Sequence, residues 1–93
     1  MQFSHELKIL PKYFKLLSFK QKKGDIRHAK EGPFKVGDVI KYREAYYAAP
    51  DAHLFYTGNH CLARITHIMD ECQGLKVGYV MLSIEVTTRY TKF

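Results

Sequence analysis

Alternation of apolar and polar positions is clearest over residues 79–86, where Val80, Leu82, Ile84 and Val86 share one face and predict a core strand. Residues 60–69 alternate as well. Cys61, Ala63 and Ile65 fall on one side and Leu62, Arg64, Thr66 and Ile68 on the other, so this strand has two fairly apolar faces. Over 5–10, Leu7 and Ile9 point inward from a first strand, and Pro11 opens a helix at the first-turn position, where its missing N–H is no loss. The helix is expected to run to about Phe19. Tyr13, Phe14, Leu16, Leu17 and Phe19 make its apolar side, leaving Lys12, Lys15 and Lys20 toward water.

After Gly24 a brief strand covers 25–29, and Glu31-Gly32-Pro33 reads as a turn. Residues 34–38 form a tight loop in which Gly37 can take a positive φ and Asp38 can bond nearby amides. A strand follows over 39–46. Residues 47–58, with Ala48-Ala49-Pro50-Asp51 and Tyr56-Thr57-Gly58, read as the longest irregular stretch, a common place for function on a small barrel. The glycines of 74–78 shape a turn before the last strand. About five strands and one main helix without strand–helix alternation predict a small mixed β-barrel of the α+β class.

Length and charge narrow this further. Ninety-three residues suffice for a single domain over 1–93, with a core about 5–86 and a dispensable, flexible tail at 87–93. The net charge of +6 is uneven, because residues 1–45 carry 11 of the 15 Lys and Arg against 5 acids, and residues 46–93 carry 4 against 4. A basic excess confined to one half gives a directional field suited to a polyanionic partner; the alternative is a Lys-rich solvated surface. Residues 1–10 hold early charges and no long apolar stretch, so neither a signal peptide nor a membrane span is expected, and the location expected is the cytoplasm. Cys61 and Cys72 suit reduced, partly buried thiols.

The densest chemistry lies at residues 20–28, where Lys20, Lys22, Lys23 and Arg27 surround Asp25. At strand spacing Asp25 and Arg27 share a face opposite Gly24, Ile26 and His28, so the carboxylate can orient the guanidinium. Lys22 lies just upstream, within reach of both. Arg27 offers a bidentate fork for an anion and Lys22 a point charge. His60, His67 and Cys72 match no zinc spacing, and Cys61, Ser18 and Ser83 have no partner histidine nearby in sequence, so neither a metal, a cofactor nor a nucleophile is expected.

Several stretches, taken in order, carry a family resemblance: residues 5–14, Lys22-x-x-Asp25-x-Arg27, Phe34-x-Val36-Gly37-Asp38, Tyr56-Thr57-Gly58, Ile65-Thr66-x-Ile68, and the run from Gly74 through Gly78-Tyr79-Val80 to Ile84. Together they resemble the small domains of the ASCH superfamily, closest to the family DUF3850, described as PUA-like and presumed RNA-binding. The resemblance implies a PUA-like β-barrel with a helix beside a cleft. The superfamily signature G-x-K-x-x-E-x-R falls on Lys20, Lys22, Asp25 and Arg27, with Lys20 in place of the glycine and Asp25 in place of the glutamate. The resemblance also implies a second activity, since some ASCH proteins are small amidohydrolases acting on acetylated cytidine with a lysine, a threonine and a glutamate. Lys22 matches the lysine, Asp25 stands where the threonine would be, and Glu85 is a candidate for the glutamate.

The leading expectation is a binding module for RNA or another nucleic acid. Lys22, Asp25 and Arg27 line its cleft, Lys12, Lys15, Lys20 and Lys23 steer the backbone, and Tyr46, Tyr47 and Tyr56 stack on bases. Tyr42 and Phe55 are read as packing. The alternative is a small hydrolase of a modified nucleoside or RNA, with Lys22 as base and Asp25 as its orienting partner. A weaker possibility is a domain whose basic face meets an acidic protein.

Overall fold

A computed structural model of the chain describes residues 3–19, 23–70 and 74–91. Its elements are β1 (His5–Ile9), α1 (Pro11–Ser18), β2 (Gly24–His28), a single 3-10 turn (Ala29–Glu31), β3 (Val39–Ala48), β4 (His53–Met69) and β5 (Tyr79–Tyr90). The class is α+β, one helix against one five-stranded sheet in the order β1-β3-β4-β5-β2. β3, β4 and β5 are antiparallel neighbours. β1 joins β3 in parallel, from His5 opposite Ile40 to Ile9 opposite Glu44, and β2 runs antiparallel to β5, from Gly24 opposite Ser83 to His28 opposite Tyr79.

Period-two patterning builds the core as expected. Leu7 and Ile9 of β1, Ile40 and Tyr42 of β3, Cys61, Ala63 and Ile65 of β4, and Leu82, Ile84 and Val86 of β5 are all buried in one cluster. Helix α1 closes one end of it with Phe14 and Leu17, and truncating the fully buried Leu17 to alanine costs about 2–5 kcal/mol. The helix is narrower in its burial than its pattern predicts, since Tyr13, Leu16 and Phe19 stay exposed. An eight-residue helix on the sheet rim covers two turns' worth of surface and no more. The loop at 34–38 behaves as read: Gly37 takes a φ of 94°, and Asp38 Oδ2 accepts the Lys35 N–H at 3.0 Å and pairs with His5 Nε2 at 2.8 Å.

Three expectations are corrected. The sheet is not closed into a barrel, because its edges β1 and β2 are not joined by a backbone ladder. The stretch 47–58 is not an irregular loop. β3 and β4 run on as one hairpin, pairing Ala45 with Tyr56, Tyr46 with Phe55, Tyr47 with Leu54 and Ala48 with His53. The turn signals are used at two places: Pro50 and Asp51 sit in the tip, and Gly58, at φ 95°, sits in a bulge opposite Glu44. There Glu44 Oε1 accepts from Thr57 Oγ1 at 2.8 Å and Asn59 Nδ2 at 3.0 Å. Finally, β5 extends to Tyr90, so Thr87–Tyr90 of the expected tail belong to the ladder beside β4.

Candidate functional site

β2 is a short edge strand whose alternation places Asp25 inside, 7% exposed, and Ile26 outside, 54% exposed. A carboxylate at an interior position needs donors. Asp25 Oδ2 receives two, the phenol O–H of Tyr42 at 2.8 Å and the Nε–H of Arg27 at 2.7 Å. Tyr42 itself is fully buried on β3. The same-face relation of Asp25 and Arg27 read from the sequence is therefore realised, and the carboxylate does orient the guanidinium.

Arg27 is fixed on its other side as well. Nη2 donates to the backbone carbonyl of Lys8 at 3.1 Å, so one side chain of β2 spans to β1 across the sheet's unjoined edges. Nη1 reaches Glu31 Oε1 at 3.5 Å. Glu31 is itself placed by a capping box on the 3-10 turn, in which its carboxylate accepts the His28 N–H at 3.2 Å and the His28 ring accepts the Lys30 N–H at 3.1 Å. Burial works against the charge on Arg27, but the charge and hydrogen bond of Asp25, with smaller contributions from Tyr42 and Glu31, outweigh it and raise its pKa. Tyr42 is pushed well above the ordinary phenol range, first by burial and then by the neighbouring Asp25 charge, so it stays protonated and keeps its hydrogen for Asp25.

The unjoined edges leave an open cleft. Its larger lobe, about 440 Å3, is bounded by Lys8, Ile9 and Leu10 of the β1 end, Tyr13 of α1, and Asp25, Ile26 and Arg27 of β2. A smaller lobe of about 250 Å3 shares Lys8, Ile9, Leu10 and Arg27 and continues to Ala45, Tyr47 and Leu54 of the hairpin. Arg27 lies at the junction of the two. A separate pocket of about 480 Å3, lined in part by Phe14, Lys15, Glu44 and Arg89, does not communicate through any shared residue.

The expected site residues are distributed unevenly around this cleft. Asp25 and Arg27 form part of its wall, Tyr47 lines the smaller lobe, and Lys23 is exposed just before β2. Lys20 and Lys22 lie outside the described residues, as does Cys72. Lys12 is exposed on α1 with its Nζ 5.9 Å from the Tyr13 ring, whereas Lys15 borders the separate pocket. Tyr46 stacks on Phe55 with centroids 5.7 Å apart, and Tyr56 lies under the Arg43 guanidinium at 3.8 Å, so neither lines the cleft. Glu85 is also elsewhere. Because Ile84 and Val86 face the core, it faces out and pairs with Arg64 at 3.3 Å. Sequence reasoning missed Tyr42, Tyr13, Glu31 and the Lys8 carbonyl. Only Tyr42 carried a usable signal, being two positions from the inward Ile40.

Exposed lysines lie on or next to the elements that bound the cleft: Lys8 lines both lobes, Lys12 is on α1, Lys23 precedes β2 and Lys30 follows it. Lys8, Lys12, Lys23 and Lys30 are exposed, and among the described residues none of them forms an ion pair. No group of three or more His, Cys, Asp or Glu comes together among the described residues. Nor is any described helix long and apolar enough to cross a membrane. Against known families, residues 4–84 match the model of a domain of unknown function, DUF3850. No curated protein matches the chain at a significant level.

Proposed function

The chain belongs to the DUF3850 family, and from its cleft we propose that it is a cytoplasmic RNA-binding module that holds unpaired nucleotides between β1 and β2. The observation that carries this reading is the immobilised Arg27, whose guanidinium is held on three sides at the junction of an open, two-lobed cleft. Preorganised donors bind at a lower entropic cost than a free arginine. Leu10 and Tyr13 supply exposed apolar and aromatic surface for a base, and Tyr47 supplies a second ring in the smaller lobe. The surrounding lysines supply the sequence-independent attraction to phosphates. The proposal keeps the PUA-like, ASCH-type reading, with the sheet left open where the ligand would enter.

The test is fluorescence anisotropy with a labelled single-stranded RNA across a salt series. Micromolar binding that weakens as salt rises is expected, with a log–log slope of about −2 if some three phosphates are contacted at about 0.7 per phosphate. Arg27→Ala is expected to abolish most of it. No binding at low salt, or binding indifferent to salt, would sink the reading, and salt-sensitive binding only to an acidic protein would replace it.

A further inference from the structure

We infer that Arg27 reads the edge of a base carrying two adjacent hydrogen-bond acceptors, and that phosphate contact is left to the lysines. This rests on the cleft being an RNA site. A guanidinium has five N–H groups. Three are spent on this protein: Nε–H on Asp25, one Nη1–H on Glu31 and one Nη2–H on the Lys8 carbonyl. One N–H therefore remains on each terminal nitrogen, so two donors on neighbouring nitrogens are left for two adjacent acceptors.

Charge and surroundings decide what the fork receives. Two carboxylates, at 2.7 and 3.5 Å, already meet the positive charge of Arg27. A phosphate placed against it would approach those same carboxylates, whereas a neutral base edge meets no such repulsion. The exposed lysines at the rim have no such compensation among the described residues. The wall beside the fork includes Leu10 and Tyr13, each roughly half exposed, which suits the flat apolar face of a base better than a solvated phosphate. Two adjacent acceptors occur on guanine, as N7 and O6, and on cytosine, as N3 and O2; adenine and uracil alternate acceptors with donors on the corresponding edges. The shared chemistry is thus guanine or cytosine against adenine or uracil.

The experiment uses the full chain and octamers of uridine carrying one central guanosine, cytidine or adenosine. Guanosine or cytidine is expected to tighten binding about ten-fold over the all-uridine octamer, and adenosine to leave it unchanged. A 7-deazaguanosine octamer separates the two sources: if guanine is the ligand, its gain disappears with N7; if cytosine is, only the cytidine octamer gains. Arg27→Lys keeps the charge beside Asp25 but not the fork, so, whatever it does to overall affinity, it is expected to erase the ratio between the guanosine or cytidine octamer and the all-uridine one. Equal affinity for all octamers with a normal salt slope overturns this inference alone, as does discrimination that survives Arg27→Lys. Failure of every octamer to bind overturns the RNA reading with it. Should Arg27→Lys not fold, the octamer series on the unaltered protein still decides.

Discussion

Tyr42 donates its buried phenol hydrogen to the same Asp25 oxygen that receives Arg27, at 2.8 and 2.7 Å. The position of the guanidinium in the cleft is therefore held from inside the core. Tyr42→Phe removes one donor from a buried carboxylate at little change in volume and is expected to cost about 1–3 kcal/mol, read from the urea midpoint. Asp25→Ala strips Arg27 of its closest counter-charge and leaves the Tyr42 hydroxyl buried without that acceptor, so its cost is expected to be larger, about 3–5 kcal/mol. Equal stability of Tyr42→Phe and the unaltered protein would show that the hydroxyl holds nothing in place.

The rim lysines are expected to act additively and without regard to sequence. Lys12→Ala, Lys23→Ala and Lys30→Ala should each weaken binding of all RNA octamers alike and flatten the salt slope by about 0.7. Since all three are exposed, thermal stability should move by no more than about 0.5 kcal/mol. A lysine variant that changes base preference would contradict this division of labour.

The loop before β3 should be acid-sensitive. The His5 hydrogen bond, chiefly, holds the Asp38 carboxyl below its ordinary range, helped by the Lys35 amide and opposed by partial burial. In the window between the unfolded value near pH 4 and the lower folded one, the unfolded chain binds a proton that the folded chain does not. Stability from this group is therefore complete at neutral pH and is lost as pH falls through the window. Asp38→Asn is expected to be less stable at pH 7 and to show a flatter decline between pH 5 and pH 2 in urea unfolding at stepped pH. An unchanged acid limb would assign the sensitivity to other carboxyls.

Cys61 should be chemically silent in the folded state. Burial pushes its thiol up to about 12, and the side chain is fully enclosed in the core. In a Cys72→Ser background, a disulfide reagent at pH 8 is expected to titrate almost no thiol until urea is added, then one per chain. Prompt reaction of the native protein would mean that β4 opens readily.

The elements most legible in the sequence were those in which one periodicity met one core. Leu7 and Ile9, and Leu82, Ile84 and Val86, sat where alternation put them, and Asp25 and Arg27 shared a face for the same reason. The hairpin was misread because Pro50 and Gly58 are genuine turn residues. The first marks the tip and the second a bulge, and nothing local distinguishes those uses from the ends of a loop. The rest of the site was hidden by distance. Tyr42 is 17 positions from Asp25 and Lys8 is 19 from Arg27, and only the folding of β1 and β3 toward β2 turns a carbonyl and a phenol into their partners.

The sheet order has a consequence for how the molecule is assembled. β3, β4 and β5 form a meander in which each strand finds its neighbour along the chain, but β1 pairs with β3 across 35 positions and β2 with β5 across as many as 59. Loop-closure entropy makes such distant pairings late events. The two strands that bound the cleft are thus expected to be the last added and the first shed, so that the molecule can keep its central meander while the cleft between them comes and goes. Native-state hydrogen exchange is expected to show amides of β1 and β2 opening at lower free energy than those of β4, with bound RNA slowing the former pair most. Uniform protection across all five strands would mean that the cleft strands and the meander open together.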